Sequence, residues 1–109
     1  MPRELRQIMF GPPEIMTAIM EYHRRRSLTL PRGTAVRCQI LDEPTLSAIM
    51  FIQTDGLAMT ELSVDAETLA AALILYCINR KIPLPAEAEK RLRKLGDDRV
   101  ALFMIKPPR

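Results

Sequence analysis

The sequence predicts an α+β fold, a two-layer sandwich of two main helices and one short helix on a mixed five-stranded sheet, in the order β-α-β-β-β-α-α-β. Three observations predict it. The apolar pattern alternates between period two, which marks a half-buried strand, and the i, i+3, i+4, i+7 stripe of an amphipathic helix. All four glycines (11, 33, 56 and 96) fall at the boundaries of those segments. The first half also lies over the second at a shift of 54 residues, a pseudo-repeat of β-α-Leu-Pro-β halves spanning about 4–41 and 58–105.

The elements follow in order. Leu5 to Phe10 mixes apolar and polar residues and reads as a strand that stops at Gly11-Pro12-Pro13. Proline suits a first helical turn, where its missing N–H has no acceptor waiting, and Glu14 meets the positive end of the helix dipole there. Ile15, Ala18, Ile19 and Tyr22 then form one helical stripe, and the helix closes in His23-Arg24-Arg25-Arg26. Thr34 to Leu41 alternates, with Val36, Cys38 and Ile40 on one face and Arg37 and Gln39 on the other. Asp42-Glu43-Pro44 turns the chain into a third strand, Leu46 to Gln53. Thr54-Asp55-Gly56 is a hairpin signal leading to a fourth strand, Leu57 to Leu62. Ser63 or Asp65 caps an Ala-rich helix from Ala66 to Arg80. Ala86 to Leu95 reads as the short helix, supported by Glu87–Arg91 and Glu89–Arg93 at i, i+4, with Gly96 as its C′ residue. Asp97-Asp98 turns into Val100 to Ile105, apolar on both faces and therefore expected at the centre of the sheet. Lys106 to Arg109 is a polar tail, and residues 1–109 form a single domain.

At the 54-residue shift Ile15 meets Leu69, Ala18 meets Ala72, Ile19 meets Leu73 and Tyr22 meets Tyr76; Arg26, Leu28, Leu30 and Pro31 meet Arg80, Ile82, Leu84 and Pro85. The halves differ in two ways. The second carries the extra segment Ala86–Gly96. It also has Ala71, Leu75, Ile78 and Asn79 where the first helix has Thr17, Glu21, Arg24 and Arg25. A helix apolar all round must be covered all round. Either the short helix or a second copy covers that face, and burying Leu75 and Ile78 would stabilise by roughly 1.5–3 kcal/mol each. Ala71, Leu75 and Ile78 are therefore the expected homodimer interface.

Composition narrows the function. The longest apolar run, Leu69 to Ile78, is about half of the roughly 20 residues needed to span a bilayer, and the N-terminus shows no signal-peptide pattern. No membrane association is expected. Cys38 and Cys77 are not a disulfide framework; they read as buried thiols in a reducing compartment, which predicts a cytoplasmic protein. His23 alone, without a nearby carboxylate, reads as a solvent-facing residue of a basic last turn. One His and two separated Cys give no zinc spacing. No phosphate-loop, dinucleotide, nucleophile-elbow or metalloprotease motif occurs. Asp42-Glu43 and Asp97-Asp98 read as turn residues. No catalytic residue, metal site or cofactor is expected.

Net charge is +3, so a polyanion partner must be argued from clustering. Arg24, Arg25 and Arg26 end the first helix, Arg32 follows its connector, and Arg80 and Lys81 end the second helix. A further basic stripe is Lys90-Arg91-Arg93-Lys94. The expectation is a non-enzymatic interaction or regulatory module that forms a homodimer and binds an unidentified protein. The alternative is nucleic-acid binding through the basic helix ends.

Overall fold

The computed structural model describes residues 4–56 and 58–106. Its elements are β1 (Glu4–Phe10), α1 (Pro12–Arg25), β2 (Thr34–Leu41), β3 (Ser47–Gln53), β4 (Met59–Asp65), α2 (Ala66–Asn79), β5 (Glu89–Leu95) and β6 (Arg99–Lys106). The strands form two three-stranded antiparallel sheets, β1-β6-β5 and β2-β3-β4. The fold is α+β with two helices, and the order reads β-α-β-β followed by β-α-β-β. Leu57, expected to open the fourth strand, lies outside the described residues, as does the tail 107–109.

Two expectations are corrected. Among the described residues there is no mixed five-stranded sheet: six strands divide between two sheets, and every pairing is antiparallel. The segment expected as a short helix is strand β5. Pairs such as Glu89–Arg93 stabilise a helix by only about 0.2–0.5 kcal/mol each, and so short a helix is marginal in water. Against that stands β6, whose Val100, Ala101, Leu102 and Met104 are buried. Such a strand needs a hydrogen-bonding neighbour on each side. β1 supplies one side, and β5 supplies the other from Glu89↔Ile105 to Leu95↔Arg99. Gly96 does not cap a helix; it opens the hairpin turn, in which Asp97 and Asp98 hold φ of 59° and 55°.

The helices start and stop for local reasons. Gly11 precedes Pro12 and Pro13, and its N–H donates to Glu14 Oε1 at 2.9 Å. Asp65 caps α2 by accepting from the Thr68 N–H at 2.8 Å. Both helices end alike: the Leu28 N–H donates to the His23 carbonyl at 2.8 Å, and the Ile82 N–H to the Cys77 carbonyl at 2.9 Å. The residues at the reversal, Ser27 and Lys81, take φ of 54° and 56°. This is the left-handed cap that satisfies the last helical carbonyls.

One core joins both sheets to both helices. Ile15, Ala18 and Ile19 of α1 and Leu69, Ala72, Leu73 and Cys77 of α2 are buried with Ile40, Met50, Leu102 and Met104. The helices pack on each other; α1 also touches β1 and β2, and α2 touches β3, β4 and β5. The helices lie against one face of each sheet and leave the other face open.

Candidate functional site

The ends of the helices come together. Arg80, the C-cap of α2, forms a two-pronged ion pair with Glu21 of α1, Nη1–Oε1 at 3.0 Å and Nη2–Oε2 at 2.9 Å. Asn79 Nδ2 donates to the same carboxylate at 3.4 Å. The hydrogen bond from Arg80, aided by Asn79 and the charge of Arg24, holds Glu21 below its ordinary pKa, and Glu21 in turn raises that of Arg80. Arg80 Cζ also lies over the Tyr76 ring, 3.7 Å from its centroid, as that of Arg26 lies over Tyr22 at 5.6 Å. A guanidinium over an aromatic face is attracted by the ring quadrupole.

Arg24, Arg25 and Arg26 close α1 and are exposed, and exposed Lys81 follows Arg80. Arg24 and Arg80 both act on Glu21, so the two basic clusters share one end of the helix pair. That end also receives the negative poles of both helix dipoles, which by themselves favour cations. Two of these cations, Arg80 and Arg24, act directly on the Glu21 carboxylate, while Arg25, Arg26 and Lys81 are exposed beside them in sequence. Arg32 is exposed in the connector before β2.

The expected dimer face is only partly open. Ala71 and Leu75 are half-buried, while Ile78 is 60 % exposed. α1, not a short helix, packs against α2.

His23 is a correction. It is 7 % exposed rather than solvent-facing, because it continues the buried stripe of Ile15, Ala18 and Ile19. Its Nδ1 lies 2.8 Å from the Ile19 carbonyl. A carbonyl can only accept, so Nδ1 carries the proton. Tyr22, placed on the core stripe by sequence, is half-buried.

The remaining polar groups are structural. Burial, with the Asp98 carboxylate nearby, pushes the Cys38 thiol up to about 11. Burial also raises Cys77, against the opposing charge of Arg80. Neither is an activated nucleophile. Asp98 Oδ1 accepts the Ile40 N–H at 3.0 Å, so the β5–β6 turn covers part of the edge of β2. Among the described residues no group of His, Cys, Asp or Glu could hold a metal ion. No described helix is long and apolar enough to cross a membrane. A concavity of about 370 Å³ at the start of α2 brings Glu67 and Arg91 to otherwise apolar walls of Leu46, Ala66, Ala70 and Leu92.

The sheets add a feature the sequence reading missed. On the open face of β1-β6-β5 the register aligns Arg91, Phe103 and Gln7 in one row. On β2-β3-β4 it aligns Arg37, Phe51 and Glu61. The signal lay in the spacing about Gly96-Asp97-Asp98: a hairpin there sets Arg91 opposite Phe103. Reading 89–95 as a helix hid it.

No protein-family model, curated protein or solved structure matches the chain.

Proposed function

We propose that the protein is a non-enzymatic binding module whose basic helix ends contact the phosphates of a nucleic acid. The observation that carries this reading is the joining of the two helix ends at Glu21, which Arg80 and Arg24 both act on, so that the run Arg24, Arg25, Arg26 and the pair Arg80, Lys81 share one end of the helix pair. Arg80 is held by Glu21 and Tyr76 and serves to fix the geometry. Arg24, Arg25 and Lys81 are exposed beside it, and exposed Arg26 lies over Tyr22.

The test compares the wild-type chain with an Arg24→Gln/Arg25→Gln/Arg26→Gln variant in an anisotropy titration of a labelled oligonucleotide. Each lost phosphate contact should weaken binding across all sequences and lower the salt slope by about one. Equal affinity and equal slope in the two proteins would remove the reading.

A second reading, the homodimer, draws on the exposure of Ile78 beside half-buried Ala71 and Leu75. Under it, Ile78→Glu yields a folded monomer by sedimentation where the wild type is a dimer. A wild-type monomer would dismiss it.

We further read the two β-α-β-β halves as pseudo-repeats. In support, α2 begins and ends 54 residues after α1, and Ser27 and Lys81 share the same left-handed cap at that offset.

A further inference from the structure

The open face of sheet β1-β6-β5 carries Leu5, Met9, Phe103 and Ile105 beside the arginines of β5. Leu5 is 62 % and Met9 61 % exposed. Apolar side chains in such a patch mark a contact surface. Between β5 and β6 the face is hollowed into a shallow cavity of about 280 Å³, lined by Arg91, Leu92, Arg93, Phe103 and Ile105. It offers one aromatic ring with two guanidiniums beside it. Arg93 Cζ stands 5.6 Å from the Phe103 centroid. Arg91 is engaged by Glu89 at 2.7 Å, but both side chains are more than half exposed. An exposed pair of this kind is worth about 0–1 kcal/mol, so it yields readily to a stronger anion.

We infer that this cavity is a second contact site, which takes a base of a single-stranded nucleic acid against Phe103 and the adjoining phosphates on Arg91 and Arg93. The inference takes its ligand class from the helix-end reading but concerns a different surface. An open antiparallel sheet that pairs basic residues with an aromatic platform suits single strands, because every base has a face to stack.

Charge selects this occupant over a second copy. Arg91, Arg93 and Arg99 share the face with Glu89 as its acid. A two-fold contact uses the same patch on both subunits, so it would bring one net-basic face against another.

The other sheet supplies an internal control. There Arg37 sits over Phe51 at 4.3 Å and covers the ring. The third place in that row is Glu61, which repels phosphate, where the basic sheet has neutral Gln7.

The test is an anisotropy titration of a short fluorescein-labelled oligodeoxythymidine, with inorganic polyphosphate as the second probe. Phe103→Ala should weaken the oligonucleotide about tenfold, the loss of one stacked base, and leave polyphosphate unchanged. Phe51→Ala should alter neither. Arg93→Gln should weaken both probes and lower the salt slope by about one.

Wild-type affinity in folded Phe103→Ala overturns the site, as does an equal loss in Phe51→Ala. So does a variant whose only change is from dimer to monomer. If Phe103→Ala fails to fold, Arg91→Gln/Arg93→Gln decides: unchanged oligonucleotide affinity overturns the site. Wild-type protein that holds the oligonucleotide through Arg24, Arg25 and Arg26, with no loss in Arg91→Gln/Arg93→Gln, removes this site and leaves the helix-end reading standing. Protein that holds polyphosphate but not the oligonucleotide removes both. Protein that holds neither removes both.

Discussion

Glu21 and Arg80 tie the end of one helix to the end of the other. Two short hydrogen bonds and a stacked tyrosine fix Arg80 in place, so the basic ends meet in a defined way. Glu21 is held below its ordinary pKa, largely by its hydrogen bond to Arg80. A carboxyl depressed in the folded state contributes stability above its unfolded pKa, and that contribution is lost as pH falls through the folded value. The wild type should therefore lose stability on acidification more steeply than Glu21→Gln below the usual carboxylate range. Parallel acid curves from denaturant titrations would argue against the pair. Cys38 runs the other way. Its folded pKa is raised to about 11 by burial, so its contribution is intact below the unfolded thiol value and fades as pH rises through the folded one. Both cysteines should resist iodoacetamide at neutral pH in the native protein and react once denaturant unfolds it. Rapid native labelling would show an exposed or activated thiol.

At the scale of elements, the sequence was informative wherever one local rule acted without competition. The α2 cap (Asp65, of the two candidates Ser63 and Asp65), the Pro12-Pro13 start, the bounds of β2 and the central place of β6 follow from capping chemistry, proline geometry, alternation and a doubly apolar run. The segment 89–95 was not legible, because its charges satisfy helical i, i+4 spacing while its structure is set by a partner strand ten or so residues away. His23 was missed for a related reason: its polarity suggested solvent, and its place on the buried stripe prevailed. Two substitutions test the element boundaries. Gly33 holds φ 136°, and a Cβ there would lie 2.2 Å from the Gln53 carbonyl oxygen. Gly33→Ala should cost about 1–3 kcal/mol in thermal unfolding, because backbone must move to admit it. Ser27→Gly relieves a left-handed non-glycine cap. It should stabilise by up to about 1 kcal/mol, a rise in Tm of no more than about 4–8 °C.

The whole molecule is long and thin. Its radius of gyration is 15.0 Å, against about 13 Å for a compact chain of this length, and its extents are 58 × 27 × 19 Å. Two helices cover one face of two small sheets, which leaves much surface for a partner. The candidate basic residues could be named from the sequence, but their meeting could not, because Glu21 to Arg80 is a contact between halves. The 54-residue offset of the helices hinted at related places in the fold without placing them side by side. The open sheet faces were hidden as well, since strand register decides which side chains share a row. β5 is also an edge strand, where Lys90, Arg91, Arg93 and Lys94 discourage pairing with another chain. That role is compatible with phosphate contact, because both need cations facing solvent.

Whether the basic helix ends hold a polyanion decides the proposed function. The most direct measurement is the slope of log affinity against log salt concentration for a labelled oligonucleotide, in the wild type and in Arg24→Gln/Arg25→Gln/Arg26→Gln. The account predicts salt-dependent binding by the wild type and a slope shallower by about two to three in the variant. Binding indifferent to salt, or a slope the three substitutions leave unchanged, would contradict it.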